Sequence, residues 1–204
     1  HLVLHESHRV VREPDVADLI TLPIDEVAGE STRFVQGSVA GLCGDEREVR
    51  LEDGRTIDFD YAVVALGSQT AFYGIPGLEE HALTLKGLDD AREIHEAVTT
   101  AAHEATPEDP ARVVVGGAGL SGIQVAGEVA ALRDERGLRV EVSLVEALDE
   151  ILPGNDDSVQ SALRDRLAEA GVDILTDDPI TRAEPDVLHF DERESMAYDV
   201  LVWT

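Results

Sequence analysis

The sequence predicts an α/β fold in which strands of a parallel sheet alternate with helices and a β-meander is attached to the sheet. Three observations carry this. Residues 113–130, VVVGGAGLSGIQVAGEVA, run a β-branched stretch through a glycine-rich turn into an apolar-faced segment. A second short apolar run, VEVSLV at 140–145, follows and closes in Glu146. Two passages, 47–67 and 187–203, repeat one order of elements: a short meander, then a continuous apolar run.

Taken along the chain, the first feature is three histidines, His1, His5 and His8, in HLVLHESH. Spacings of four and three would set them on one helix face. HESH is not H-E-x-x-H and no carboxylate pattern accompanies it, so we expect packed or solvated histidines and no metal site. In REVRLEDGRTIDFDYAVVALG, residues 47–67, Val49 and Leu51 alternate with charged residues and Asp53-Gly54 marks a hairpin turn. Ala62 to Leu66 then read as a buried strand ending at Gly67. Ile75-Pro76-Gly77 is a linker, and Leu88 to about Ala105 a polar helix.

Val113, Val114 and Val115 suit a buried parallel strand, entered through Pro110 and Arg112. Gly117, Ala118, Gly119, Leu120, Ser121 and Gly122 then fit G-x-G-x-x-G. Each glycine has its own reason: Gly117 for the tight turn, Gly119 for close approach of a pyrophosphate to the backbone, Gly122 for packing the next helix on the sheet. A helix N-terminus there would favour an anion through free N–H groups and its dipole. From Leu120 to about Asp134, Ile123, Val125, Ala126, Val129, Ala130 and Leu132 make an apolar helix face, and Gly137 stops it. Glu146 lies 24 residues past Gly122, where an acid accepts hydrogen bonds from ribose hydroxyls and repels a 2′-phosphate. Strand, turn, helix, strand and acid in this order predict a Rossmann-like dinucleotide site preferring NAD over NADP.

Leu152-Pro153-Gly154 is a turn, and a helix follows with Val159, Leu163 and Leu167 on one face and Gly171 as its stop. Val172 to Leu175 is a third strand. Val187 to Phe190, a polar turn at Glu192 to Glu194, and Val200 to Trp203 make the second meander and strand. The echo of 47–67 predicts two related nucleotide-binding units. The first copy runs on into Gly67-Ser68 and the second stops at Thr204, while the chain opens inside HLVLHESHRVVR, so we expect a central piece of a longer protein.

Composition narrows the partners. With 43 acidic and 16 basic residues the formal charge is −27, which argues against nucleic acid because its phosphates would be repelled. Lys86 is the only lysine. Abundant acid spread along the chain with almost no lysine is the pattern of proteins from salt-loving microbes. Cys43 is the one cysteine, so an internal disulfide, a redox pair and a cysteine metal site are all excluded, consistent with a reducing, cytoplasmic setting. No apolar run of membrane-spanning length and no signal peptide is seen.

The segments FVQGSV (34–39), DFDYAVVALGS (58–68), GIPGLEEHAL (74–83), GGAGLSGIQVAGE (116–128) and DVLVWT (199–204) together resemble one family. The chain looks like the central part of a flavin-dependent pyridine nucleotide-disulfide oxidoreductase, most similar to the type II NADH dehydrogenases (NADH:quinone oxidoreductases) and their haloarchaeal relatives. The resemblance implies residues 1–76 as part of a FAD-binding domain and 77–204 as an inserted NAD(H)-binding domain. It further implies Ser38 and Val39 beside the flavin adenine, Ala65, Leu66 and Gly67 beside the FAD diphosphate, and Gly117, Gly119, Leu120, Ser121, Gly122 and Glu146 around NADH. Gln124 stands where many relatives have a glutamate near the nicotinamide. The implied chemistry is hydride transfer from NADH to FAD, then electrons to a quinone or other acceptor, with the full-length protein peripheral on the inner face of the membrane and a homodimer left open. Two alternatives remain at this point: a sulfide:quinone-type reductase, for which Cys43 lacks a partner, and a module that senses NADH without turnover.

Overall fold

Apolar runs bounded by glycine and proline become the strands of one sheet, and the longer periodic segments become the helices over it. The computed structural model describes residues 1–204. Its elements in chain order are α1 (Arg9–Arg12), α2 (Ala17–Ile20), α3 (Ile24–Val27), β1 (Val39–Cys43), β2 (Glu48–Leu51), β3 (Thr56–Asp58), α4 (Leu78–His81), β4 (Leu83–Thr84) and α5 (Leu88–Glu104). They continue with β5 (Ala111–Gly116), α6 (Leu120–Arg136), β6 (Val140–Val145), α7 (Asp157–Glu169), β7 (Val172–Leu175), β8 (Ile180–Ala183), β9 (Val187–Phe190), β10 (Met196–Ala197) and β11 (Val200–Trp203). Two compact units result: a smaller one of His1 and Leu22–Gln69, and a larger one of Leu2–Thr21 and Thr70–Thr204.

In the larger unit five strands make a parallel sheet in the order β4-β11-β5-β6-β7. Val113, Val114 and Val115 are buried on both faces of the sheet, as a central parallel strand requires. One face is covered by α5 and α6. Ala91, Ile94, Val98 and Ala102 of α5 recur every three or four residues and pack with Ile123, Ala126 and Ala130 of α6 in one core. The opposite face carries Val114, Val145 and Leu201 against Ile180, Leu188, Phe190 and Tyr198 of the antiparallel sheet β10-β9-β8, with Leu78 of α4 filling the gap. From β5 the chain winds outward through β6 to β7, and it later returns to place β11 on the other side of β5. The winding therefore reverses between β5 and β11.

The smaller unit holds the antiparallel meander β1-β2-β3, with Glu48 opposite Asp58 and Cys43 opposite Glu48. At the predicted Asp53-Gly54 turn, Gly54 takes a positive φ of 85°. Asp53 fixes the hairpin by accepting from the Arg55 backbone N–H at 3.0 Å.

Three expectations need correcting. Residues 62–66 form no strand; Val63, Val64 and Leu66 are exposed, because β1 to β3 are the only strands of the smaller unit and none of them pairs with this run. The compact units fall at other bounds than 1–76 and 77–204, which leaves the cofactor assignment of those segments untouched. Val10, Val11, Val16, Ala17 and Ile20 enter the core under α5 and α6, and the His95 ring bonds Val11 O at 2.8 Å, so residues 2–21 and 70–76 go with the larger unit. The histidines do not share a helix face, since a 3-10 turn at Leu4–Glu6 and the separate helix α1 break the segment. His8 instead approaches Glu128 at 3.7 Å, where Arg12 also pairs with Glu128 at 3.1 Å. Burial pushes the Glu128 carboxyl up against the opposing pull of Arg12 and His8. Finally, Val159 of α7 is exposed and Gln160 is buried in its place; the Gln160 amide is satisfied by Glu150 Oε2 at 3.0 Å and Leu152 O at 3.3 Å, which makes a polar residue tolerable inside.

Candidate functional site

The glycine turn joins β5 to α6 where the sheet reverses its winding, the place at which open α/β sheets leave a crevice beyond their carboxyl ends. Gly117 turns there with φ 92°, and its N–H donates to Val145 O at 2.8 Å. Gly119 caps α6 in an extended conformation open to any residue. The glycines differ in what a side chain would meet. A Cβ on Gly122 would overlap Gly117 O and stand 2.9 Å from Thr204 Oγ1, whereas a Cβ on Gly119 meets nothing within 4 Å. Close packing thus demands Gly122, and only open space lies in front of Gly119. The first helical bond of α6 runs from Ile123 N to Gly119 O at 3.1 Å, which leaves the N–H groups of 120–122 without helical acceptors. An anion suits them.

In front of this turn lies a cavity of about 540 Å³, lined by Gly117, Gly119 and Thr204 at the turn and by Tyr73, Ile75, Leu148, Pro153, Pro179, Ile180 and Trp203 around it. The lining is mostly apolar, with Glu146 as its one charged group, which matches the usual make-up of a small-molecule site. Glu146 stands half-buried at the end of β6. Its Oε2 accepts from Ala118 N at 2.7 Å and its Oε1 from Leu148 N at 3.1 Å. The carboxylate therefore braces the turn, and each oxygen retains a lone pair for a further donor.

The wall formed by Pro179 and Ile180 is anchored by Asp178. This carboxylate is buried and accepts from the backbone N–H groups of Asp191, Glu192 and Arg193 at 3.0, 3.1 and 2.9 Å, and from Arg193 Nε at 2.8 Å. Desolvation pushes its carboxyl up, and the Arg193 guanidinium with the three N–H groups outweighs that, leaving it at about 2.

Of the residues expected around a dinucleotide, Gly117, Gly119 and Glu146 line the cavity together. Gly122 supports the turn from behind, while Leu120 and Ser121 are exposed in the first turn of α6. Gln124 is half-buried on α6 and does not line the cavity. Ser38, Val39, Ala65, Leu66 and Gly67 all lie exposed in the smaller unit, Val39 at the start of β1 opposite Leu51. Sequence reasoning missed Trp203, Thr204, Tyr73 and Ile180 as cavity residues. Parallel pairing sets Trp203 beside Gly116, where a Cβ would overlap the indole, and Thr204 Oγ1 bonds Gly116 O and Gly117 O at 3.2 Å each. The one available signal was a glycine preceding the fingerprint, at Gly116, in need of a large neighbour.

Comparison with known proteins agrees with this geometry. The family described as pyridine nucleotide-disulphide oxidoreductase matches residues 4–204. The demethylphylloquinone reductase NdbB of Synechocystis is 28% identical over 193 residues, covering 91% of this chain and 46% of that protein. The type II NADH:quinone oxidoreductase of Staphylococcus aureus is 28% identical over 174 residues, covering 79% of this chain and 43% of that protein. The chain thus spans less than half the length of these relatives. Among solved structures, NDH2 from Plasmodium falciparum in complex with NADH superposes with a TM-score of 0.78 at 16% identity, over 99% of this chain and 46% of that one, a likeness of fold. With the family match running through the meander, the glycine turn and β11 alike, the chain belongs to the pyridine nucleotide-disulphide oxidoreductase family.

Proposed function

We propose that the larger unit is the NAD(H)-binding part of a flavin-dependent NADH dehydrogenase, and that the smaller unit is part of its FAD-binding domain. The observation that carries the reading is the cavity at the winding reversal, with open space at Gly119, no room at Gly122, and Glu146 at its edge. The pyrophosphate of NADH rests against the N–H groups of 120–122, and Glu146 accepts from the adenosine ribose hydroxyls while rejecting a 2′-phosphate. In the full-length protein the reaction is hydride transfer from NADH to FAD followed by transfer to a quinone or another acceptor; the names of the relatives in Synechocystis and Staphylococcus support quinone. Ser38, Val39, Ala65, Leu66 and Gly67 are the FAD-contacting positions under this reading. Their exposure in the smaller unit leaves surface for such a contact.

No helix is long and apolar enough to cross a membrane, which is compatible with a cytoplasmic protein held peripherally at the inner face of the membrane. The charge of −27 with a single lysine supports a halophilic source. The test is calorimetric titration of this chain with NADH and, separately, FAD. Saturable NADH binding without tight FAD binding is expected; FAD binding without NADH binding overturns the assignment.

A further inference from the structure

Non-glycine residues rarely adopt positive φ, and here four do: Arg47, Tyr73, Leu152 and Asp177. Arg47 sits in the β1–β2 hairpin of the smaller unit. The other three lie in or within two residues of the cavity wall. Leu152 precedes Pro153 and donates its N–H to Ala118 O at 2.7 Å. Asp177 stands two residues before Pro179 and donates to Leu148 O at 2.8 Å. All three have a backbone reason for their conformation: the bonds just given for Leu152 and Asp177, and for Tyr73 the turn closed by Ile75 N on Phe72 O at 3.0 Å, in which Gly74 is the other central residue at φ 70°. Tyr73 itself lines the cavity at φ 53°, yet the residue is 82% exposed and its hydroxyl bonds nothing in the protein. The turn accounts for the backbone and not for the ring: a large aromatic held out beside a mostly apolar cavity has no packing role to explain it.

The residues around Tyr73 hold it there. The Trp203 indole packs across Gly116 and its Nε1–H donates to Ala71 O at 2.9 Å, two residues before Tyr73. On the other side, Phe72 and Ile75 are half-buried against the core beneath the sheet, and Ile75 N donates to Phe72 O at 3.0 Å. The backbone is thus fixed at both ends and the tyrosine ring alone is free. We propose that Tyr73 is a ligand-contacting residue whose ring closes over the bound dinucleotide from the side opposite the glycine turn, with Trp203 as the residue that positions it. The inference rests on the NAD(H) reading above. A flat aromatic is suited to this because it stacks on a base or ring of the ligand and needs no hydrogen bond to do so.

The test titrates NADH onto the chain and its variants by calorimetry, with a thermal melt for each. Tyr73→Gly relieves the positive φ, so its Tm should match or exceed that of the parent protein, while its Kd for NADH rises on the order of tenfold through loss of stacking. Tyr73→Phe keeps the ring and should bind within about twofold of the parent. Wild-type affinity in Tyr73→Gly overturns the proposal and leaves the NAD(H) reading standing, and so does a tenfold loss in Tyr73→Phe. Failure of the parent chain itself to bind NADH removes the NAD(H) reading, and this proposal with it.

Discussion

Gly119→Ala and Gly122→Ala make an informative pair, because the two positions differ in one structural respect. Gly119 has extended backbone angles of −71° and −175° and no neighbour within 4 Å of an added Cβ. Alanine there restricts the unfolded chain, worth about 0.4–1 kcal/mol of stability. It is also a poorer N-cap than glycine by about 0.5–1 kcal/mol. The two nearly cancel, and for a chain of this size, at about 2–4 °C per kcal/mol, Tm should move by less than about 2 °C. In the binding equilibrium nothing compensates. The new methyl stands in the space through which a pyrophosphate reaches the N–H groups of 120–122, and losing one charge-assisted hydrogen bond costs about 1.5–3 kcal/mol. That is a loss of NADH affinity on the order of 10- to 100-fold. Gly122→Ala inverts the pattern: its Cβ overlaps Gly117 O, a backbone atom that cannot swing aside. Overpacking of about 1–3 kcal/mol lowers Tm by roughly 2–12 °C. Calorimetric titration and a melting scan read both quantities. Wild-type NADH affinity in Gly119→Ala would show that no phosphate approaches this turn. A Tm loss in Gly119→Ala equal to that of Gly122→Ala would show that the space in front of Gly119 is not open.

Three further outcomes are expected. Glu146→Ser should weaken NADH binding by about 1–3 kcal/mol and narrow the discrimination against NADPH; unchanged selectivity by competitive titration would move the acidic determinant elsewhere. Asp178 has a folded pKa of about 2 against an ordinary 3.8, so its stabilisation is fully present above about 3.8 and is lost as pH falls through about 2. Acid unfolding followed by circular dichroism should therefore show Asp178→Asn less stable than the parent at neutral pH, with the difference shrinking across that window; a difference that stays constant down to pH ~2 would mean that the carboxylate charge is not what the loop needs. With a charge of −27, Tm should climb as potassium chloride is raised from about 0.1 M to about 2 M, since screening shortens from about 10 Å at 0.1 M to about 3 Å at 1 M. A Tm flat in potassium chloride but raised by sulfate, which favours burial in any protein, would remove the halophilic reading.

The strand, glycine turn and helix were legible in the sequence because their signals are local. A β-branched run, a glycine for each steric demand of the turn, a helix with small apolar residues and an acid at the next strand end are all short-range requirements, and the structure brings Gly117, Gly119 and Glu146 to one cavity as their order implies. The helices α5 to α7 and the strands β5, β6, β7, β9 and β11 follow for the same reason, since periodicity is a property of the segment itself, whereas β8 and β10 carry no such signal. Partner choice is not. The run 62–66 has the composition of a buried strand, and only the absence of a strand to pair with it makes it exposed. Residues 2–21 stand before the meander in sequence, yet the apolar side chains of Val10, Val11 and Ile20 are buried against α5 and α6. Between Val159 and Gln160 periodicity could not choose, because both lie three or four residues from Leu163; the acceptors offered by Glu150 and Leu152 made the choice. Tyr73, Pro179 and Trp203 meet Gly117 across gaps of 44, 62 and 86 residues, and no local rule links them. Sequence alone determined where the glycine turn lies and which of its positions has no room for a side chain. Which side chains surround it was decided by the reversal of winding between β5 and β11, which opens a crevice there and brings loops from distant parts of the chain to its edge.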